Sequence, residues 1–246
     1  MNTINKNTEE FRVLAKSNPE ISLKKHIDDC LCIYEQLLTC VPNIPVSDKT
    51  LFWQLLKTSI VFHDMGKAHP DFQDMLKGFS HKWQQQRHEL FSLFFINQLD
   101  LPEEQKELIL FTVLGHHKDL NELFFFVDKN YSSEQDKFSF GITSGLDFTN
   151  ECNRIAADEV WEVAVSNGFV KKSENKLDII SLIEKETKHN TVSDRNYLAK
   201  LLLVGAMKQC DHLASAGINQ LHKIEEKDFS FLFRFPPYHH QQLAYN

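Results

Sequence analysis

The stretch "FHDMGKAHPDFQ", residues 62–73, places His63 beside Asp64 and follows them with Gly66 and Lys67. Imidazole next to carboxylate offers two ligand types for a transition metal. The same doublet also suits an ordinary polar helix end, so its meaning depends on what the rest of the chain supplies. The residues before it, "KTLFWQLLKTSIVFHD", carry Phe52, Leu55, Leu56, Ser59 and Ile60 at helical spacing on one inward face. His63 falls on the face of Leu56, Ser59 and Ile60, so it projects from a buried stripe rather than into solvent. Ser47 or Asp48 can cap this helix at its start. Gly66 is expected to end it as a left-handed cap.

Helical periodicity continues in both directions. In "SLKKHIDDCLCIYEQLL", Leu23, Ile27, Cys30, Leu31, Tyr34, Leu37 and Leu38 form one stripe, and His26 borders it. Pro70 and Asp71 open a short helix that Gly78 stops. "RHELFSLFFINQL" puts His88, Phe91 and Phe95 on one face. "PEEQKELILFTVLGHH" starts with a proline and two glutamates, which suits a helix N-terminus, and ends at His116 and His117. Residues 119–150 are less regular, and "FFFVDKN" and "KFSFGITSG" read as short strands or loop. Helical patterns return at about 156–166 and 177–188. A last long helix, "SDRNYLAKLLLVGAMKQCDHLASAG", is capped by Ser193 or Asp194 and stopped by Gly217.

The composition agrees with helices. The 246 residues include only 8 Gly and 7 Pro, fewer turn formers than an all-β chain of this length needs. The net charge of -7 disfavours long contact with a nucleic-acid backbone, unless bound cations reverse the field locally. Five cysteines without a C-x-x-C pair give neither a disulfide framework nor a zinc ribbon, and free thiols in a reducing cytosol are expected. The polar N-terminus is not a signal peptide, and no apolar run reaches the roughly 18 residues that span a bilayer. A cytoplasmic protein without membrane contact, and a monomer, are expected.

Twelve histidines cluster partly by chance, so position matters more than number. His26, His63, His88, His116 and Asp211 all fall on helices or helix ends, on or beside buried stripes. Side chains projecting inward from several helices are how bundles build metal centres. His69, His81, His189, His212, His222, His239 and His240 have no comparable place. His212 is turned about 100° from Asp211, and Glu89 is expected to face away from His88 in the same way. Phe124, Phe125 and Phe126 read as core or as a hydrophobic docking face. No phosphate-binding glycine loop is present.

An early helical histidine (His26), a His-Asp doublet (His63, Asp64) and a late helical aspartate (Asp211) resemble the HD phosphohydrolase superfamily. "HDMGKAHPDFQ", "RHELFS", "GHHKD" and "DHLASAG" together are similar to the HD nuclease domain of the type I CRISPR-associated helicase-nuclease. The resemblance covers about residues 26–215. It implies an all-α HD-domain bundle with a metal centre in its core, leaving room for one short β-hairpin. It implies an HD nuclease domain over residues 1–217 and an exit segment over 218–246 that leads toward a missing helicase domain.

The resemblance also implies roles. His26, His63, Asp64 and Asp211 would hold one ion; His88, His116 and His117 would hold a second, with Asp64 bridging. One or two divalent transition-metal ions are expected, Mn, Co, Ni or Fe, with Mg and Zn ranked below them. Two-metal sites keep their ions about 3.5–4 Å apart and activate water near neutral pH. Asp64 and Lys67 are the catalytic candidates. Lys67 is a phosphate contact or a plain helix-end lysine that favours the dipole. Ser215, four residues past Asp211, orients that aspartate, touches substrate, or is an ordinary helix-end serine.

The activity implied is hydrolysis of phosphodiester bonds in single-stranded DNA during CRISPR interference, an antiviral defence. The implied partners are a superfamily 2 helicase module, in cis or trans, and a guide-RNA surveillance complex. Two alternatives stand beside it. One is an HD-family nucleotide or cyclic-nucleotide phosphohydrolase with the same metal chemistry. The other is a histidine-rich helical docking module that catalyses nothing.

Overall fold

Several helices begin where the sequence offers a start signal. Ser22 accepts a hydrogen bond from the backbone N–H of Lys25 and opens α1, Leu23–Cys40. Asp48 does the same for Leu51 at the start of α2, Lys49–Phe62. Pro102, Glu103 and Glu104 open α5, Glu103–Leu114. Between them lie a short 3-10 turn, Met65–Ala68, and the helices α3, Pro70–Leu76, and α4, His88–Asn97. α6, Ala157–Ser166, and α7, Tyr197–Ser215, complete seven helices among the described residues. The computed structural model describes residues 13–41, 43–80, 83, 86–117, 122, 131–132, 137–138, 154–155, 157–171, 196–218 and 220–221.

The fold is a mostly helical bundle, as expected. α2 runs through its middle, packed against α1, α4, α5, α6 and α7. The expected inward face of α2 is buried, and Trp53, Thr58, Val61 and Phe62 are buried as well. A helix apolar nearly all round belongs at the centre of a domain. Phe62 and Phe95 pack edge-on against Trp161 of α6, which closes the core on that side.

Two small antiparallel pairs accompany the helices. β3, Tyr131–Ser132, and β4, Lys137–Phe138, fall within the region read as strands or loop. The pair β1, Leu14–Ser17, and β2, Glu20–Ser22, was not expected. Its sequence, "LAKSNPEIS", does not alternate cleanly, and only Asn18-Pro19 signals a turn. This hairpin is tied to the bundle by Gln73 of α3. The Gln73 side chain accepts from the Leu14 N–H and donates to the Leu14 carbonyl, both at 2.9 Å, and its amide also donates to the Lys67 carbonyl at 2.7 Å.

Gly66 departs from expectation. It is not a left-handed cap: the glycines with positive φ among the described residues are Gly78, Gly168 and Gly217. Gly66 instead lies in the 3-10 turn, pressed against α4. A Cβ there would sit 2.0 Å from the His88 carbonyl oxygen and 2.8 Å from the Phe91 Cβ. The position requires glycine for close approach of two backbones, not for its φ.

Gly217, at φ 72, follows the end of α7. The expected caps Ser193 and Asp194 lie outside the described residues, as do the 177–188 helix, Phe124 to Phe126, Cys152, His81, His189, His222, His239 and His240. No disulfide joins Cys30, Cys32, Cys40 and Cys210. Among the described residues, no helix is long and apolar enough to cross a membrane.

Candidate metal centre

The ends of five helices meet at one place. His26 comes from the first turn of α1, His63 and Asp64 from the end of α2, and His88 from the first residue of α4. His116 and His117 follow α5, and Asp211 lies in the last turns of α7. The structure therefore brings together all seven residues that the sequence singled out as ligands. His63 continues α2 by donating its N–H to the Ser59 carbonyl at 2.9 Å. Its ring Nδ1 meets the Ile60 carbonyl at 2.7 Å. His116 makes the same short contact to the Val113 carbonyl. Each contact fixes a ring so that Nε2 faces the centre, a common way of orienting histidine ligands.

Asp64 stands between two groups of donors and is fully buried. Its Oδ2 receives Lys67 Nζ at 2.6 Å and lies 3.3 Å from both His26 Nε2 and His63 Nε2. Its Oδ1 lies 3.0 Å from His88 Nε2 and 3.9 Å from His116 Nε2. On the first side, Asp211 Oδ1 is 3.2 Å from His26 Nε2 and 3.9 Å from His63 Nε2. On the second, His117 Nε2 is 3.1 Å from His88 Nε2. The donor atoms of Asp64, His88, His116 and His117 all lie within 4.8 Å of one another.

These residues fit divalent ions. Ligands at about 2.0–2.2 Å from a tetrahedral ion stand about 3.4 Å apart, and the donor distances around Asp64 and Asp211 run from 3.0 to 3.9 Å. His63 Nε2, His116 Nε2 and Asp64 Oδ1 are buried and make no hydrogen bond. A buried polar atom without a partner is costly, and a cation would satisfy all three.

The electrostatics agree. Burial opposes the Asp64 charge, but the nearby His63 and Lys67 outweigh it and hold the carboxyl well below its usual range. Burial likewise opposes charge on His26, yet hydrogen bonds to Asp211 and Asp64 raise it to about 12. The carboxylates that retain that proton are the ones that would retain a metal, so proton and ion compete for one place. His116 is held well below the imidazole range by burial and by the charges of His117 and His63.

Around this group lie residues that sequence reasoning passed over. Glu89 does not face away from His88. It is buried, its Oε2 is 3.7 Å from His88 Nδ1, and Arg87 Nε donates to its Oε1 at 2.6 Å. At the start of a helix, a long side chain can curl back over its neighbour despite the 100° rotation, and "RHE" was the available signal. Ser92, fully buried on α4, donates to the His63 carbonyl at 2.7 Å and accepts from the Gly66 N–H at 2.9 Å. Ser92→Ala would strand both groups, at a cost of about 1–3 kcal/mol each. We expect a clear fall in the urea midpoint, with an unchanged midpoint counting against this clamp.

Cys30 was read as core, yet its Sγ reaches into the first group. His69 was set aside as a ligand. It is buried between Trp83 and Phe91, and its Nδ1 accepts from the Asp71 N–H at 3.2 Å to cap α3. His212 is exposed, as expected. Ser215, at the exposed rim, donates to Asp211 Oδ1 at 3.2 Å.

A family model described as "Cas3, HD domain" matches residues 14–217. The chain belongs to the Cas3 HD domain family. Membership accounts for a mostly helical bundle with a buried His/Asp cluster and places the chain in a CRISPR context. Among solved structures, the Cas3 HD domain of this chain is similar to the CRISPR-associated Cas3 HD domain protein MJ0384 from Methanocaldococcus jannaschii. That similarity has 17% identity and a TM-score of 0.43, and covers 80% of this chain and 98% of the other. Among curated proteins, none matches this chain.

Proposed function

We propose that this Cas3 HD domain is a metal-dependent nuclease that hydrolyses phosphodiester bonds of single-stranded DNA in CRISPR interference. The observation that carries the reading is Asp64, a buried carboxylate with one oxygen turned to each of two histidine groups. His26, His63, Asp64 and Asp211 would hold one ion; Asp64, His88, His116 and His117 would hold the second. Divalent ions held there supply Lewis-acid polarisation of a phosphoryl oxygen and activation of water near neutral pH.

The protein's own residues set the conditions for that chemistry. Asp64 ties the two halves together. Ser215 orients Asp211 through its hydrogen bond. Glu89, with Oε2 at 3.7 Å from Nδ1 of His88, favours the Nδ1–H tautomer, which leaves the Nε2 lone pair free toward the centre. Lys67 is paired with Asp64 and only slightly exposed, 14% for its side chain. Its ammonium would meet a non-bridging phosphate oxygen, where charge builds in the transition state. Ser215, exposed beside Asp211, is a second substrate contact.

The net charge of -7 fits a domain that receives its strand from another module rather than gripping duplex itself. Residues 1–217 form the nuclease domain, and 218–246 lead toward a superfamily 2 helicase, in cis or trans, that works with a guide-RNA complex.

The test is cleavage. Purified protein is incubated with Mn, Co, Ni, Mg or Zn and with labelled single-stranded DNA or a nucleotide panel. DNA is expected to be cut with Mn, Co or Ni and left intact in excess chelator. Turnover of nucleotides alone would overturn the nuclease in favour of a small-molecule phosphohydrolase. No turnover of either, with no metal by elemental analysis, would overturn both.

A further inference from the structure

We propose that Cys30 is a fifth, thiolate ligand of the ion assigned to His26, His63, Asp64 and Asp211. That half of the centre would then be a mixed nitrogen, oxygen and sulfur site that prefers zinc, cobalt or nickel to magnesium or manganese. The inference rests on the two-ion reading above and deepens it. Cys30 lies four residues after His26 on α1, one turn along the same face. Its Sγ is 3.7 Å from His26 Nε2, the nitrogen that also faces Asp211 and Asp64. A sulfur at about 2.3 Å and a nitrogen at about 2.0–2.1 Å from one ion stand about 3.1–3.8 Å apart at ligand angles of roughly 90–120°. The observed separation falls within the range that shared coordination needs.

A second observation points to the same place. The donor atoms of His26, Cys30, His63 and Asp211 all lie within 4.8 Å of one another, and all four residues are buried. His63 Nε2, turned into this group, has no hydrogen-bond partner. A buried cysteine that merely fills space behaves as a small hydrophobe and need not point at a ring nitrogen. Cys210 supplies the internal contrast. It too is a buried thiol, adjoining Asp211 in sequence, yet it is outside the donor group.

Thiolate is a soft ligand, and imidazole is intermediate. Their combination favours zinc and its neighbours, whereas carboxylate and water alone suit magnesium and manganese. Coordination breaks the S–H bond, and the thiol proton leaves to solvent as the ion enters. Metal uptake at this half therefore releases one more proton than a site without Cys30 would.

Cobalt(II) reports on the ligand directly. The wild-type protein loaded with cobalt should show visible d–d bands and a near-ultraviolet thiolate-to-cobalt charge-transfer band. Cys30→Ser should lose the charge-transfer band, keep visible bands, and bind cobalt more weakly by at least the roughly 10–100-fold that loss of an outer-sphere partner costs. Cys210→Ser should keep both features.

Zinc-edge X-ray absorption on the wild-type protein needs no variant and should show a sulfur scatterer at about 2.3 Å. Visible bands without charge transfer, no sulfur scatterer, or loss of the band on Cys210→Ser would overturn Cys30 as a ligand and leave the two-ion reading standing. A wild-type protein that takes up neither cobalt nor zinc would overturn both.

Discussion

Asp64→Ala is expected to release both ions and end DNA cleavage. No other described residue contributes to both donor groups. Removing its carboxylate leaves His26, His63, His88 and His116 facing one another, and it takes the ion-pair partner from Lys67. Loss of an outer-sphere partner alone lowers metal affinity about 10–100-fold, so loss of a shared ligand should exceed about 100-fold. Elemental analysis of the purified variant, beside DNA cleavage in added manganese, reads both effects. Metal should also raise the melting temperature of the wild-type protein and leave that of the variant unchanged, because only a ligand that binds the folded state stabilises it. A variant that retains two ions would show that Asp64 is not their common ligand.

Gly66→Ala should do comparable harm by another route. The added methyl would meet the His88 carbonyl oxygen at 2.0 Å and the Phe91 Cβ at 2.8 Å. The first obstacle is backbone and cannot rotate away, so α4 must shift off the 3-10 turn. Overpacking usually costs about 1–3 kcal/mol, and a backbone clash belongs at or above the upper end. The shift would also separate Asp64 from His88, which now stand 3.0 Å apart. A marked fall in the urea midpoint together with weakened metal binding is expected. Wild-type stability would mean that the two backbones have more room than this geometry allows.

Gly66 also shows where sequence reading stops. A glycine after an amphipathic helix usually signals a left-handed cap, and nothing local contradicts that reading. What fixes its true role is a carbonyl on another helix, which becomes visible only when α4 packs. The ligand candidates were legible for the opposite reason. His26, His63 and Asp211 lie on or beside the buried faces that helical periodicity assigns, and the resemblance to the HD pattern joined them into one set.

The approach of the Cys30 thiol to His26 was hidden by the same periodicity, because a cysteine on an apolar stripe reads as core. Ser92 and Gln73 were hidden because their partners are backbone groups far along the chain. The β1–β2 hairpin gave little alternation to detect. Its attachment through Gln73 gives the "FQ" of the opening stretch a structural task, holding the Lys67 turn to the N-terminal strand.

The order of the ligands along the chain has a consequence for synthesis. Asp64, His88, His116 and His117 come from one continuous stretch, α2 through α5. The other group joins His26 and His63 to Asp211 of α7, the last of the described helices. A chain emerging from the ribosome can therefore assemble one half of the centre early, but cannot close the other until α7 has emerged and docked against α1. Loop closure over that span is the slow kind. On the two-ion reading, the centre stays chemically incomplete until α7 has been made.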